Sequence, residues 1–266
     1  MPELPEVETI VRQLNKKVTG KRIKKAEVYD SIVDAKIKKL SSIFIRKVWR
    51  RAKYIVMELN HGQYLLTHLG MTGHFHYWDN KRISNHPEKY MVSKFLFSDN
   101  SFLTYNDIRK FGSMKLVNRK QLDKVLSKHG PEPLEKDFTI TKFQEMLSQK
   151  ARANIKTTLM NQRVIAGIGN IYAQEALYFA GISPLRQAGS LSMQESKLLY
   201  AELRRILQQA IKHHGTTVDN YSNLEGSGGF QNYLAVYQRK KCEQGHELNK
   251  IVVGGRGTSY CSQCQR

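Results

Sequence analysis

Apolar residues at Val7, Ile10, Val11, Leu14 and Val18 recur at three- and four-residue spacing behind an acidic start, so the pattern predicts an amphipathic helix from the N-terminus to near Gly20. From residue 22 to residue 117 the period changes. Ile43-Phe44-Ile45, the alternation of Ile55, Met57 and Leu59, the run Tyr64-Leu65-Leu66, and Phe95 and Phe97 before an Asp99-Asn100 turn into Phe102-Leu103 predict short, mostly antiparallel strands. Few helical stretches intervene, which favours a sandwich over a parallel α/β sheet. His129-Gly130-Pro131-Glu132-Pro133-Leu134 concentrates turn formers and continues neither element type, so it marks a domain boundary. Beyond it the pattern is helical. Thr141 with Gln144 and Ser192 with Glu195 have capping-box spacing, and Leu199, Leu203, Ile206 and Ala210 form one stripe of a long helix. Two further helices, 155–161 and 171–180, are joined by residues 162–170. The stretch Gly215–Gly229, with Gly226, Gly228 and Gly229, predicts a mobile loop.

Taken together these elements predict an α+β fold. An N-terminal antiparallel β-sandwich domain flanked by helices would occupy 1–130, a linker 131–137, a helical domain 138–235, and a C-terminal hairpin 236–266.

Composition narrows the function. The 266 residues carry 43 Lys and Arg against 23 Asp and Glu, a formal net charge of +20, and 40% hydrophobic residues, enough for two packed cores. So basic a chain points to a polyanion, with nucleic acid ahead of a membrane surface because no apolar run reaches spanning length. The acidic start lacks a secretory pattern, and a reducing, intracellular, cytoplasmic location is expected. All three cysteines fall within residues 242–266, an odd number that argues for a local metal site rather than a disulfide framework.

Several motifs can carry chemistry. Removal of Met1 would leave Pro2 terminal, with the only secondary α-amine among the amino acids. With a reference pKa of about 8 such an amine is partly unprotonated at neutral pH, and its attack on a sugar aldehyde carbon gives an iminium adduct. Glu3 and Glu6 follow as candidate proton-transfer groups. The same residues also suit an ordinary helix start. In the tail, Cys242-x3-His246 and Cys261-x2-Cys264, separated by fourteen residues, supply the four ligands of a tetrahedral structural Zn2+ site. Arg256 lies between the two pairs as a candidate phosphate contact. The Gly167-Ile168-Gly169-Asn170 turn enters a helix, so its amides and the Asn170 side chain could hold a phosphate oxygen. Lys156 is either a partner in that contact or a solvent-facing lysine. Met71, in His68–Gly73, and Arg109 and Phe111, in Asn106–Gly112, sit at glycine-flanked turns. Their apolar members are either wedges that enter a base stack or core residues. Lys53, after Arg50-Arg51, could belong to a basic edge strand.

In combination, Pro2-Glu3-Leu4-Pro5-Glu6-Val7-Glu8-Thr9, Arg50-Arg51-Ala52-Lys53-Tyr54, His68-Leu69-Gly70-Met71, Asp107-Ile108-Arg109-Lys110-Phe111-Gly112, Gly167-Ile168-Gly169-Asn170-Ile171-Tyr172 and the closing Tyr260–Arg266 resemble formamidopyrimidine-DNA glycosylase along the whole chain. The resemblance implies a bifunctional glycosylase and AP lyase with a helix-two-turn-helix domain and a zinc-finger hairpin. Oxidised purines (8-oxoguanine, formamidopyrimidines) would be excised from double-stranded DNA, followed by β,δ-elimination. It implies that Pro2 is the nucleophile, Glu3 the proton donor and Lys53 a catalytic lysine near the backbone phosphate. Met71, Arg109 and Phe111 would enter the stack as the lesion leaves, and Asn170 and Arg256 would contact DNA phosphates, with Lys156 expected to add its charge beside Asn170. A lone groove between the domains fits a monomer. The resemblance also implies that Gly215–Gly229 closes over the extruded base.

Two departures stand out. His246 occupies the place of a cysteine in the family's usual Cys-x2-Cys first pair, which bears on metal affinity. The usual Asp-Pro-Arg-Arg becomes Asp107-Ile108-Arg109-Lys110, so the second position loses bidentate capacity. The competing expectations are an endonuclease VIII-type enzyme acting on oxidised pyrimidines and a non-catalytic zinc-bearing DNA-binding protein.

Overall fold

The computed structural model describes residues 1–79, 89–217 and 222–266. Its contacts divide the chain into two units, Met1–Ser127 with His214–Gly229, and Lys128–His213 with Phe230–Arg266.

In the first unit, α1 (Leu4–Val18) follows the predicted period and buries Val7, Ile10, Val11, Leu14 and Val18. Among the described residues eight strands follow: β1 (Arg22–Val28), β2 (Ile43–Arg51), β3 (Tyr54–Leu59), β4 (Gln63–His68), β5 (Gly73–Trp78), β6 (Met91–Phe97), β7 (Phe102–Asp107) and β8 (Ser113–Asn118). They hydrogen-bond in the order β5-β7-β6-β1-β2-β3-β4-β8, every neighbouring pair antiparallel. The β1–β2 seam holds only Arg22↔Phe44 and Ile23↔Ile43, so two four-stranded halves meet along a short hinge. Both halves feed one core: Phe75, Phe95, Phe97 and Leu103 from one, Ile45, Ile55, Met57 and Leu65 from the other, with the apolar face of α1. This is the expected sandwich, made from a single sheet. Val56 and Leu66 point away from that core and pack with Leu122 and Leu126 of α2 (Arg119–Leu126).

The second unit is helical, with α3 (Ile140–Gln149), α4 (Ile155–Met160), α5 (Asn170–Phe179) and α6 (Met193–Lys212), followed by the hairpin β9 (Asn249–Val253) and β10 (Arg256–Tyr260). Ser192 and Glu195 form the predicted capping box of α6, which buries Leu199, Leu203, Ile206 and Ala210. The predicted box at Thr141 is not formed. Thr139 caps α3 by accepting the Lys142 N–H, while Gln144 donates its side-chain amide to Ser196 at 2.8 Å. Starting α3 at residue 140 places Phe143 and Leu147 in the core, beside Phe138.

The contacts also redraw the domain limits expected from sequence. The described parts of 214–229 belong with the first unit, where the Thr216 N–H donates to Glu6 Oε1 (2.8 Å) and the Leu224 N–H to Gln13 Oε1 (3.0 Å). Residues 218–221 of the expected loop lie outside the described residues. The 236–266 hairpin belongs with the helices, joined to them where Lys156 donates to Thr258 and the Ser259 N–H donates to Gln174 Oε1. At the centre of this unit Glu175, almost fully buried, accepts the backbone N–H groups of Ala235, Val236 and Tyr237. Burial raises its pKa despite those three donors.

Candidate active site and nucleic-acid interface

Pro2 is buried at the mouth of α1 and Glu3, only 2% exposed, caps that helix in extended conformation. Glu6, one turn on, accepts the Glu3 N–H at Oε2 (2.8 Å) and the Thr216 N–H at Oε1. Both Glu6 oxygens therefore hold backbone, which makes Glu6 a structural tie between the helix start and the 214–229 segment. Periodicity cannot reveal that tie, because its second partner lies 210 residues away.

Lys53 is not on an edge strand. It occupies the two-residue turn between β2 and β3, where Arg51 pairs with Tyr54, and it is 5% exposed. Ala52 takes the left-handed conformation (φ 52°) that this tight turn requires. Arg50 secures the turn by donating to the Ala52 carbonyl (2.9 Å) and anchors it to α1 through an ion pair with Glu8 (2.9 Å). The hairpin carrying Lys53 is thereby tied to the helix that carries Pro2 and Glu3.

Met71, Arg109 and Phe111 are all exposed, the phenylalanine ring at 60%, so the core alternative fails for both apolar members. Arg109 lies over the Phe111 ring at 4.8 Å. Lys110, where the family usually has its second arginine, has φ 55° and pairs with Asp30 at 2.6 Å.

In the second unit, Asn170 opens α5 as predicted. Lys156 is not solvent-facing. It is fully buried, and its ammonium donates to Asn170 Oδ1 (2.6 Å) and Thr258 Oγ1 (2.7 Å), while Asn170 Nδ2 donates to the Gly257 carbonyl (3.1 Å). The lysine thus joins α4, the start of α5 and the hairpin. Arg256, the first residue of β10, stands exposed on the same hairpin.

Cys242, His246, Cys261 and Cys264 converge with all ligand atoms within 4.8 Å of one another. His246 Nδ1 lies 3.3 Å from Cys264 Sγ and 3.5 Å from Cys261 Sγ, and the Cys242 and Cys264 sulfurs are 4.0 Å apart. A tetrahedral ion with metal–sulfur bonds of about 2.3 Å and a metal–nitrogen bond of about 2.0 Å needs ligand–ligand edges of roughly 3.5–3.8 Å. The cluster fits a tetrahedral metal.

Comparison with known proteins accounts for the combination. The model of the formamidopyrimidine-DNA glycosylase N-terminal domain matches residues 1–114, and that of the H2TH domain of the same enzyme matches residues 129–222. The chain belongs to the formamidopyrimidine-DNA glycosylase family. It is therefore a DNA glycosylase of base excision repair, and α4 and α5 lie in the family's helix-two-turn-helix domain. Among its relatives, the formamidopyrimidine-DNA glycosylase of Ligilactobacillus salivarius is 40% identical over all of this chain and 99% of its own. A Lactococcus lactis formamidopyrimidine-DNA glycosylase mutant solved with Fapy-dG containing DNA is 37% identical, covers both chains completely and superposes with a TM-score of 0.92. A second mutant, in which one cysteine is exchanged for Gly-His, is solved with THF containing DNA and matches at 37% identity, full coverage of both chains and a TM-score of 0.91. This glycosylase carries Gly245-His246 at the end of its own first ligand pair. No described helix is long and apolar enough to cross a membrane.

Proposed function

We propose that this glycosylase excises oxidised purines, 8-oxoguanine and formamidopyrimidines, from duplex DNA and then cuts the strand as an AP lyase. The observation that carries this proposal is the start of α1, where a residue able to present a secondary amine adjoins a nearly buried carboxyl group. Once Met1 is removed, the Pro2 nitrogen attacks C1′ of the damaged nucleotide, and the electron pair of the glycosidic bond leaves with the base. Glu3 supplies a proton to the ring oxygen as the sugar opens, leaving an iminium between Pro2 and C1′. Loss of a C2′ proton then expels the 3′ phosphate, and a second elimination expels the 5′ phosphate. Lys53, in its anchored turn, sets a positive charge beside the backbone phosphate. Met71, Arg109 and Phe111 occupy the space the nucleotide vacates, offsetting the few kcal/mol that unstacking costs. Asn170 and Arg256 hold phosphates from the second unit, and buried Lys156 positions Asn170 and the hairpin for that contact.

The Cys3His cluster holds one structural Zn2+, which would fix the hairpin bearing Arg256. The enzyme acts as a monomer on double-stranded DNA in a reducing intracellular compartment, where the three thiols persist as ligands. The test is borohydride trapping on duplex DNA containing 8-oxoguanine, with Met1 removal checked by mass spectrometry. Wild type should form a covalent adduct, and Pro2→Gly should trap far less. An undiminished adduct from the variant would defeat the role given to the proline. Faster excision of an oxidised pyrimidine in the same assay would move the substrate class to the endonuclease VIII type.

A further inference from the structure

The two turns that present Met71, Arg109 and Phe111 are joined beneath their exposed side chains by buried polar groups. Asp107, at the end of β7, is fully buried. Its Oδ1 accepts the Thr72 hydroxyl at 2.5 Å and the Arg109 N–H at 3.2 Å, and its Oδ2 accepts the Gly112 N–H at 2.7 Å. Thr72, itself only 6% exposed, completes the link by accepting the Arg109 N–H at 2.9 Å through its oxygen. One carboxylate therefore gathers donors from both sides of the 109–111 loop and from the residue next to Met71. Backbone packing closes the rest. A Cβ on Gly70 would stand 2.4 Å from the Phe111 carbonyl carbon, and one on Gly112 would stand 2.0 Å from the Tyr105 hydroxyl, so neither position tolerates a side chain without displacement.

We infer that Asp107, acting through Thr72, is a positioning residue that makes the Met71 turn and the Arg109–Phe111 loop one preformed wedge, ready to enter the stack. This inference rests on the insertion role proposed above for those three side chains. A buried carboxylate that accepts several charge-assisted hydrogen bonds holds its donors firmly, and withdrawing an acceptor leaves a buried donor unmet. The wedge is then set before DNA arrives, and binding energy is not spent ordering two separate loops. The Lys110 backbone, held at φ 55° between Arg109 and Phe111, is kept in that conformation by the same bonds on either side.

The test separates stack entry from chemistry. Asp107→Asn and Thr72→Val are compared with wild type in single-turnover excision of 8-oxoguanine from duplex DNA, and in borohydride trapping on an abasic site in a single-stranded oligonucleotide, where there is no stack to enter. Thermal denaturation of each variant accompanies both assays. Duplex excision should fall about ten- to hundredfold, the range set by loss of a hydrogen bond to a charged group. Trapping on the single strand should stay near the wild-type rate, and Thr72→Ser, which keeps the hydroxyl, should restore excision. A 2-aminopurine opposite the lesion should report slower insertion in Thr72→Val. Equal falls in both assays, or no fall in either, would overturn the inference. A wild type that neither excises nor traps would bring down the proposed function, and this inference with it.

Discussion

Glu8 shows how a single residue secures the site without touching the chemistry. Burial works to raise its pKa, but the charge of Arg50 and the hydrogen bonds from Arg12 and Arg50 outweigh it, holding the carboxyl below its ordinary value of 4.5. Arg12 is 60% exposed and contributes little, whereas the Arg50 side chain is 7% exposed and carries the interaction. With the folded pKa depressed, this stabilisation is complete above pH 4.5 and is lost as pH falls through the lower folded value. The wild type should therefore melt higher than Glu8→Gln at about neutral pH, and the gap should close in acid below the ordinary carboxylate pKa. Thermal denaturation across that range checks it, and a gap independent of pH would exclude the ion pair as its source. The turns that expose Met71 and Phe111 were legible in the sequence because each is a short local motif flanked by glycine. The burial of Lys156 was not, because one of its partners, Thr258, lies 102 residues away and periodicity carries no long-range pairing.

Among the elements, the β9–β10 hairpin depends most on something other than its own packing. It has five residues per strand, and the cluster core around it contains Cys242 and Cys261 with few apolar neighbours. A two-stranded hairpin of this size is marginal by itself in water, so the metal should supply much of its order. Removing the metal with a chelator should release about one equivalent per chain and abolish tight duplex binding. Trapping on single-stranded abasic DNA, which needs no grip on a duplex, should survive. Loss of both activities together would assign the metal a wider role. The elements themselves were legible wherever one face is apolar: α1, α6, and the strands around Phe95 and Phe97. The start of α3 was misplaced because Thr139 and Thr141 are equally good caps in sequence, and only the burial of Phe138, Phe143 and Leu147 selects the first.

For the whole molecule, the formal charge of +20 makes affinity for DNA depend steeply on salt. Each phosphate contact adds about one unit to the slope of log affinity against log salt, so exposed Arg256 and buried Lys156 should behave differently. Arg256→Ala should weaken binding uniformly across sequences and lower the slope by about 1. Lys156→Ala removes a fully buried ammonium with two hydrogen-bond partners, and should lower the melting temperature. An unchanged slope in Arg256→Ala would remove that arginine from the interface. The grouping of 214–229 with the first unit was illegible for the same reason as the Lys156 contact, since Gln13 and Glu6 find those partners more than 200 residues along the chain.

On the proposed mechanism the covalent bond to DNA forms at the amine of Pro2. Its most direct measurement is proteolysis of the borohydride-reduced adduct followed by mass spectrometry of the modified peptide. The mass of the deoxyribose remnant should sit on the N-terminal peptide at Pro2, with Lys53 unmodified. An adduct mapped to Lys53 or any other lysine, with an unaltered N-terminal peptide, would rule out Pro2 as the nucleophile.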